Sequence, residues 1–407
     1  LHGFGDDEYY VFGQLTVDRE KTRNRNDRVG VGFKRDISDK LSAEGQVSYG
    51  TSGLGLLAGL SYEPTATDKY YIGYRMLPDI TGGDLISYDP FGRDNGTLVT
   101  GVRKQMGDNL TAWTEHNFDM MGTSQGILQT YGVQYTPDEM WTVTGGLEAG
   151  TVRDELDSDF ERYAPSFAVA FKDEGKSFGA KVEARFEDSA DNTRDRVTWL
   201  GKANMGLQYD DDWRFLATLD AVISDSDQAA VLDADYIEGS IGWAYRPVDN
   251  DRFNALFKYT YLHDLPSPSS VDADGLSLGP KQRSHVLSAD FIYDVNEKLS
   301  IGAKYGVRTG EVSASRTEAD FVRSTAHLGI IRADYHVVKN WDILVEGRAL
   351  WLSELQQTNY GVLAGVYRHI GDNLKIGVGY NFGKFSDDLT DLTLDDEGVF
   401  VNVIGKF

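Results

Sequence analysis

Hydrophobic and polar residues alternate along short segments of this sequence, and the alternation restarts after nearly every polar connector. In residues 178–186 every even-numbered position is apolar, whereas the odd-numbered positions are glycine or charged. The same period of two residues recurs at 41–49, 197–209, 213–223, 299–307 and 341–351. Because successive side chains of a β-strand point to opposite faces of a sheet, each such segment predicts a strand with one apolar face.

The connectors between these segments fall into two sets. Ten are polar and read as tight turns, at 35–38, 63–68, 105–109, 136–139, 172–176, 210–212, 247–251, 295–298, 338–340 and 370–373. Eleven are more variable, at 18–27, 51–53, 78–95, 119–124, 152–162, 189–196, 224–233, 264–283, 310–325, 353–357 and 383–396. These connections predict about 22 strands of about 9 to 12 residues.

Two unlike sets of connections are typical of a barrel in the outer membrane of a Gram-negative bacterium, which has short periplasmic turns and longer extracellular loops. The expected strands also have the length that a tilted strand needs to cross a bilayer. We therefore expect an all-β chain that forms a closed antiparallel transmembrane β-barrel as a single domain over residues 1–407.

Aromatic residues cluster beside the short turns and fall mostly on the apolar face. A barrel that faces lipid concentrates aromatic side chains at the water boundaries, so these residues predict an aromatic girdle. The alternative is a soluble sandwich or propeller with an aromatic core, but small residues such as Gly45, Ala58 and Ala203 at mid-strand favour a wall against lipid. The predicted girdle residues are Phe33, Tyr62, Tyr70, Trp141, Phe171, Phe178, Tyr209, Trp213, Tyr245, Phe253, Tyr293 and Trp341.

Composition removes several other classes of protein. No run approaches the roughly 18 to 20 apolar residues of a membrane-spanning helix, and the mean hydropathy of -0.39 suits a barrel that shows lipid only every second residue. The absence of cysteine excludes disulfide scaffolds and thiolate sites. With 64 acidic against 40 basic residues, the net charge of -24 argues against a nucleic-acid partner.

The polar face of the strands is expected to line the barrel lumen. Its charges alternate in sign, which suits either a salt-bridge lattice that stiffens the wall or a ring that sets selectivity, without a predicted ion preference. The predicted lumen-facing residues are Glu44, Arg75, Arg103, Glu115, Glu148, Lys181, Glu183, Arg185, Lys202, Asp220, Glu238, Lys258, Lys304, Arg308, Glu346, Arg348 and Lys375.

The C-terminal segment GVFVNVIGKF places Val399, Val401, Val403 and Phe407 on one face. It resembles the last strand of bacterial outer-membrane proteins, a resemblance that implies Phe407 as the signal for the barrel-insertion machinery. With residues 376–391, the ending resembles the C-terminal barrels of large surface proteins and transporter-like outer-membrane proteins. A barrel of 22 strands also resembles the barrel of TonB-dependent transporters. This sequence departs from that family, because it offers no N-terminal plug domain and its loops are much shorter.

Three functions remain open on the sequence. The first is an outer-membrane pore or translocation conduit, whose wide lumen is expected to be filled by an upstream segment or a partner protein. The second is a membrane anchor or exporter for a larger polypeptide of which this chain is the C-terminal part. The third is an embedded hydrolase, although the seven histidines share no motif.

Neither a cofactor nor a catalytic residue is predicted, and a metal site stays undetermined. The acidic stretches 154–161, 224–228 and 387–397 read as solvated loops or as loose cation bridges to lipopolysaccharide. Residues 18–27 are slightly basic and suit contact with lipopolysaccharide phosphates. The expected surroundings are outer-membrane lipid and lipopolysaccharide.

Overall fold

A computed structural model describes sixteen stretches of the chain. They are residues 2–4, 7–15, 27–51, 53–76, 96–119, 124–154, 159–192, 195–226, 236–250, 252–263, 281–313, 320–338, 340–371, 374–383, 385–390 and 397–405. Among these residues there is no helix long and apolar enough to cross a membrane.

The described residues form one antiparallel sheet of 23 strands in which each strand pairs with its neighbours in the chain. The strands are β1 (His2–Phe4), β2 (Asp7–Gln14), β3 (Arg28–Ser38), β4 (Leu41–Gly50), β5 (Gly53–Tyr62), β6 (Lys69–Met76), β7 (Thr97–Gln105), β8 (Leu110–Asp119), β9 (Ser124–Tyr135), β10 (Trp141–Asp154), β11 (Phe160–Asp173), β12 (Lys176–Ser189), β13 (Arg196–Gln208), β14 (Trp213–Ser226), β15 (Tyr236–Tyr245), β16 (Phe253–His263), β17 (Lys281–Asn296), β18 (Leu299–Ser313), β19 (Val322–Val338), β20 (Trp341–Leu352), β21 (Gln357–Ile370), β22 (Leu374–Asn381) and β23 (Gly398–Gly405).

Strands β2 to β23 are the 22 strands that the alternation predicts, and β1 is an additional strand of three residues. Several strands are longer than expected, up to the 17 residues of β19. They extend beyond the apolar alternation because polar pairs such as Glu311 and Arg323 continue the ladder into the predicted loop 310–325. The predicted turn at 35–38 is wrong, since β3 continues to Ser38 through an irregularity in register after Asp36.

Asp and Asn side chains shape several of the short turns. In the turn before β10, Asp138 Oδ1 accepts hydrogen bonds from the backbone N–H groups of Met140 and Trp141, at 2.9 and 2.8 Å. Asp210 does the same for Asp212 and Trp213 before β14. Such side-chain caps replace backbone partners where the ladder ends. They thereby set the point at which each tryptophan enters its strand.

The pairing register separates the sheet into two faces, because residues paired across strands point to the same side. One face carries Glu44, Lys202 and Lys304 and is called the polar face. The opposite face carries Val182 and Ile331 and is called the apolar face. Its large hydrophobic side chains are exposed, with 45% of Val182 and 68% of Ile331 accessible.

The two ends of the sheet are unlike its interior strands. In the described part of the chain β23 pairs with β22, and β2 pairs with β1 and β3. Val11 of β2 and Val401 of β23 are 73% and 70% exposed, more than most apolar residues of the inner strands. These two edges are where the expected barrel would have to close.

Candidate functional site

The polar face carries all seventeen residues that were predicted to line a lumen. The register joins them strand by strand, as in the row formed by Lys202, Asp220 and Glu238 on β13, β14 and β15. Several form ion pairs with one another. Glu183 pairs with Lys181 at 3.0 Å and with Arg185 at 2.9 Å, and Lys202 pairs with Asp220 at 3.0 Å.

Not every predicted residue of this face has an ionic partner. Within the described ranges no ion pair involves eight of them, which are Glu44, Arg75, Arg103, Glu115, Glu238, Lys258, Lys304 and Arg308. The polar face therefore combines a network of ion pairs with charged side chains that have no ionic partner among the described residues.

A second set of charges, in which only the two arginines were not predicted, lies near the loop end of β11 to β13. Glu187 receives the Nε–H of Arg162 at one carboxylate oxygen and the Nε–H of Arg196 at the other, both at 2.8 Å. Glu148 lies 3.7 Å from Arg162. Both arginines fell inside predicted loops, at 152–162 and 189–196, because the strands extend farther than the alternation indicates. The group ties three strands together by charge-assisted hydrogen bonds.

Eleven of the twelve predicted girdle residues lie on the apolar face of a strand, and Tyr209 lies in the turn after β13. All but Phe33, which is five residues before the end of β3, lie beside a short turn. Several of their rings touch in pairs: the centroids of Trp141 and Phe171 are 4.8 Å apart, and so are those of Trp213 and Tyr245. The ring of Trp341 meets the guanidinium of Arg368 at 5.4 Å. The girdle residues therefore include several ring contacts between neighbouring strands at that end of the sheet.

A second aromatic row, which was not predicted, lies on the apolar face toward the loop end. It includes Tyr131, Tyr163, Phe186, Trp199, Tyr259, Tyr305 and Trp351. Eight residues separate Phe178 from Phe186 along β12, which is roughly 27 Å along a strand and less across a membrane when the strand is tilted. The two rows therefore bound an apolar band of about the height that outer-membrane barrels present to lipid, about 25 Å.

The polar face also has an apolar patch, formed by strands β16 to β19. Leu262 and Leu328 are completely buried, together with Val286, Ala326 and Ile330. Phe385 and Leu389, from the connection between β22 and β23, complete this cluster and are 5% and 7% exposed. Residues 385–390 are called the inward segment, because they lie over the polar face of the sheet.

Basic residues of the polar face donate hydrogen bonds to backbone carbonyls of the inward segment. Lys304 Nζ donates to Asp387 O at 2.8 Å. Longer contacts of 3.4 Å join Arg308 to Leu389 O and Arg348 to Phe385 O. These polar contacts, together with the two apolar anchors, hold the segment on the wall.

Residues 385–390, which are part of the predicted loop 383–396, therefore lie over the polar face of the sheet. A signal for this arrangement was present in β19, where Ile330 and Ile331 are both apolar although they point to opposite faces. Two apolar faces in one strand indicate burial on both sides. A period of two residues assigns an apolar side to one face alone, so it does not predict the patch.

Histidines gather at the other end of the polar face. Asp342 accepts from His336 Nδ1, His369 Nε2 and Lys375 Nζ, each at 2.7 Å. Within the described ranges no serine hydroxyl joins either histidine. No group of three or more metal-ligating side chains in those ranges is arranged to hold a metal ion.

Two predicted contacts lie outside the described residues. Phe407, the expected insertion signal, is one of them, and its role stays a prediction. Nearly all of the basic stretch 18–27, expected to contact lipopolysaccharide, is the other.

Comparison with known proteins gives structural matches alone. No protein-family model matches the sequence, and no curated relative does. A mutant of the ferric enterobactin receptor PfeA from Pseudomonas aeruginosa aligns at 10% identity with a TM-score of 0.49, over 98% of this chain and 79% of that chain. The ferric preacinetobactin receptor BauA from Acinetobacter baumannii aligns at 11% identity with a TM-score of 0.46, over 98% of this chain and 76% of that chain. The copper transporter OprC aligns at 11% identity with a TM-score of 0.42, over 93% of this chain and 69% of that chain. At such low identities and TM-scores, the activity of this chain has to be argued from its own residues.

Proposed function

We propose that this chain spans a bacterial outer membrane as a closed β-barrel and serves as a pore or translocation conduit. The observation that carries the proposal is the contrast between the two faces of one sheet. One face exposes large apolar side chains between two aromatic rows, and the other carries charged and hydrogen-bonded groups. A bilayer outside and water inside satisfy both faces.

The exposed apolar residues are too many for a sheet surrounded by water. Trp199, Phe167 and Tyr305 are each more than half exposed, and similar side chains continue across the apolar face. Burial of one large hydrophobic side chain is worth about 1.5 to 3 kcal/mol. Soluble monomers rarely leave contiguous apolar patches beyond a few hundred Å². Contact with lipid would remove these apolar side chains from water and so stabilise the folded chain.

The lumen of such a barrel would be wide, because diameter grows with strand number. The inward segment occupies part of the wall of β16 to β21. We propose that an upstream segment or a partner protein fills more of the remaining space. Adding the upstream segment or the partner protein back to the isolated chain should lower its conductance.

A site-directed probe of lipid access tests the membrane-spanning arrangement. The chain has no native cysteine, so single cysteines at Val182 and Ala203 can carry nitroxide labels without interference. These labels should be relaxed by oxygen dissolved in lipid, because they lie on the apolar face. Labels at their neighbours Glu183 and Asn204 should be relaxed by a water-soluble nickel chelate. If all four labels reported water, the proposal of a transmembrane barrel would be wrong.

A further inference from the structure

Aromatic side chains on the polar face of β2, β6 and β8 lie over glycines of the following strand. A Cβ added to any of these glycines would lie only 2.0 to 2.4 Å from a ring atom, so each ring covers its glycine. All four side chains are partly exposed and lie on the polar face. The pairs are Tyr10 with Gly32, Phe12 with Gly30, Tyr71 with Gly101, and Trp113 with Gly132.

Planar polar groups stand beside these rings. The Tyr10 hydroxyl donates to Gln46 Oε1 at 3.0 Å, and the Tyr71 hydroxyl donates to Glu115 Oε2 at 2.5 Å. The other oxygen of Glu115 accepts from Asn117 Nδ2 at 3.2 Å. Carboxamide and carboxylate groups are thus held in fixed orientations along the aromatic wall.

Two arginines complete the surroundings of the rings. Arg103 is paired in register with Trp113 and is exposed, and Arg75 lies on the same face of β6. Neither forms an ion pair within the described residues, in contrast to the paired charges of β12 to β14. Their guanidinium groups are therefore available to a solute.

We propose that the wall from β2 to β9 binds neutral oligosaccharides, an inference that rests on the proposed function because it assumes a lumen open to solutes. A pyranose ring has apolar C–H faces and a rim of hydroxyls. Flat aromatic rings offer apolar faces on which such rings stack. Carboxylate, carboxamide and guanidinium groups beside them exchange paired hydrogen bonds with neighbouring hydroxyls. Binding sites for small solutes combine apolar surface with a few placed polar groups in this way.

Single-stranded nucleic acid also stacks on aromatic side chains, but the charges around these rings disfavour its binding. Nucleic-acid channels combine aromatic stacking with a predominantly positive groove. Here Glu44 and Glu115 share the face with Arg75 and Arg103. A polymer with one phosphate per unit would meet repulsion from these carboxylates, whereas a neutral sugar would not.

A purely structural role for the rings provides the matched control. Aromatic side chains that cover glycines also stabilise sheets without binding any ligand. Phe33 covers Gly45 in the same way, but on the apolar face. Loss of this ring removes an aromatic–glycine pair without touching the lumen.

Calorimetric titration of the full chain in detergent micelles tests the inference with maltohexaose, cellohexaose and N-acetylchitohexaose as probes. At least one should bind. Trp113→Ala and Tyr71→Ala should each weaken that binding about tenfold, Trp113→Phe should retain most of it, and Phe33→Ala should leave it unchanged. Polyethylene glycol of matching size should give no binding heat. Planar-bilayer recordings of the same preparation should show transient blockade by the sugar that binds.

Several results would overturn the inference. They are no binding of any of the three sugars, or equal loss of binding in Phe33→Ala and Trp113→Ala. Conductance without sugar binding would remove the sugar site and leave the proposed pore intact. Sugar binding that depends on Trp113, without conductance, would support the site and contradict the pore.

Discussion

At the scale of single residues, the group around Glu187 shows how this sheet accommodates buried charged side chains. Arg162 is 4% exposed and Glu187 is 7% exposed, so neither can be hydrated. A buried charge is tolerated when it is paired and hydrogen-bonded. Here one carboxylate serves two guanidinium groups from the strands on either side, which makes β12 the centre of a three-strand clamp.

Glu187→Gln should destabilise the folded chain by about 3 kcal/mol or more, because it removes the carboxylate that pairs with the buried Arg162 and the partly buried Arg196. Urea unfolding in lipid vesicles measures this change. Glu44→Gln, at an exposed position of the same face, is the control and should cost at most about 1 kcal/mol. Equal stability of the two variants would show that the Glu187 group is hydrated rather than buried.

At the scale of elements, the inward segment is an unusual connection. Gly306 and Gly361 make room for it, since a Cβ at Gly306 would lie 3.0 Å from Leu389 and one at Gly361 would lie 3.4 Å from Phe385. The segment covers an apolar patch that water in a lumen would otherwise wet. Its attachment is therefore driven by burial as well as by the hydrogen bonds to Lys304, Arg308 and Arg348.

The double variant Phe385→Ser with Leu389→Ser should detach the segment, because it removes both apolar anchors. Single-channel conductance in planar bilayers should rise above that of the unmodified chain. Asp388→Ser, an exposed position of the same segment, is the matched control and should leave the size of the conductance nearly unchanged. Unaltered conductance in the double variant would show that the segment does not limit the lumen.

At the scale of the whole molecule, the two sheet edges decide between a closed and an open structure. An unpaired edge of a long sheet is a template for association, and in a membrane its unpaired backbone groups would meet lipid. Closure of β23 onto the first strands removes both costs within one chain. We therefore expect one barrel rather than pairing between chains.

Cysteine scanning tests closure. One cysteine replaces Tyr9, Val11 or Gly13 in β2, and the second replaces Val399, Val401 or Val403 in β23; all six positions lie on the apolar face. At least one pair should form an intramolecular disulfide in oxidising conditions, because adjacent strands bring paired Cβ atoms within disulfide range. Disulfide-linked dimers without an intramolecular product would show that the edges pair between molecules.

Much of the fold could be predicted from local pattern, and the errors have a physical cause. Alternation located Trp141, Trp213 and Trp341 at strand starts because polar turns precede them. It placed Arg162 and Arg196 in loops because a strand that extends past its apolar segment loses the alternation while keeping its hydrogen-bonded ladder. Polar strand ends and polar loops have the same composition, so only pairing separates them.

The sequence by itself determined the number of long strands and the chemistry of their two faces. Both are local consequences of a period of two residues. Only the tertiary structure decided which side chains meet, because register and chain reversal bring distant residues together. Arg308 and Leu389 are 81 positions apart and Gln282 and Thr390 are 108 apart, yet they are joined by hydrogen bonds. No local pattern encodes such contacts, since they exist only when a connection folds back over a wall that the remaining strands have built.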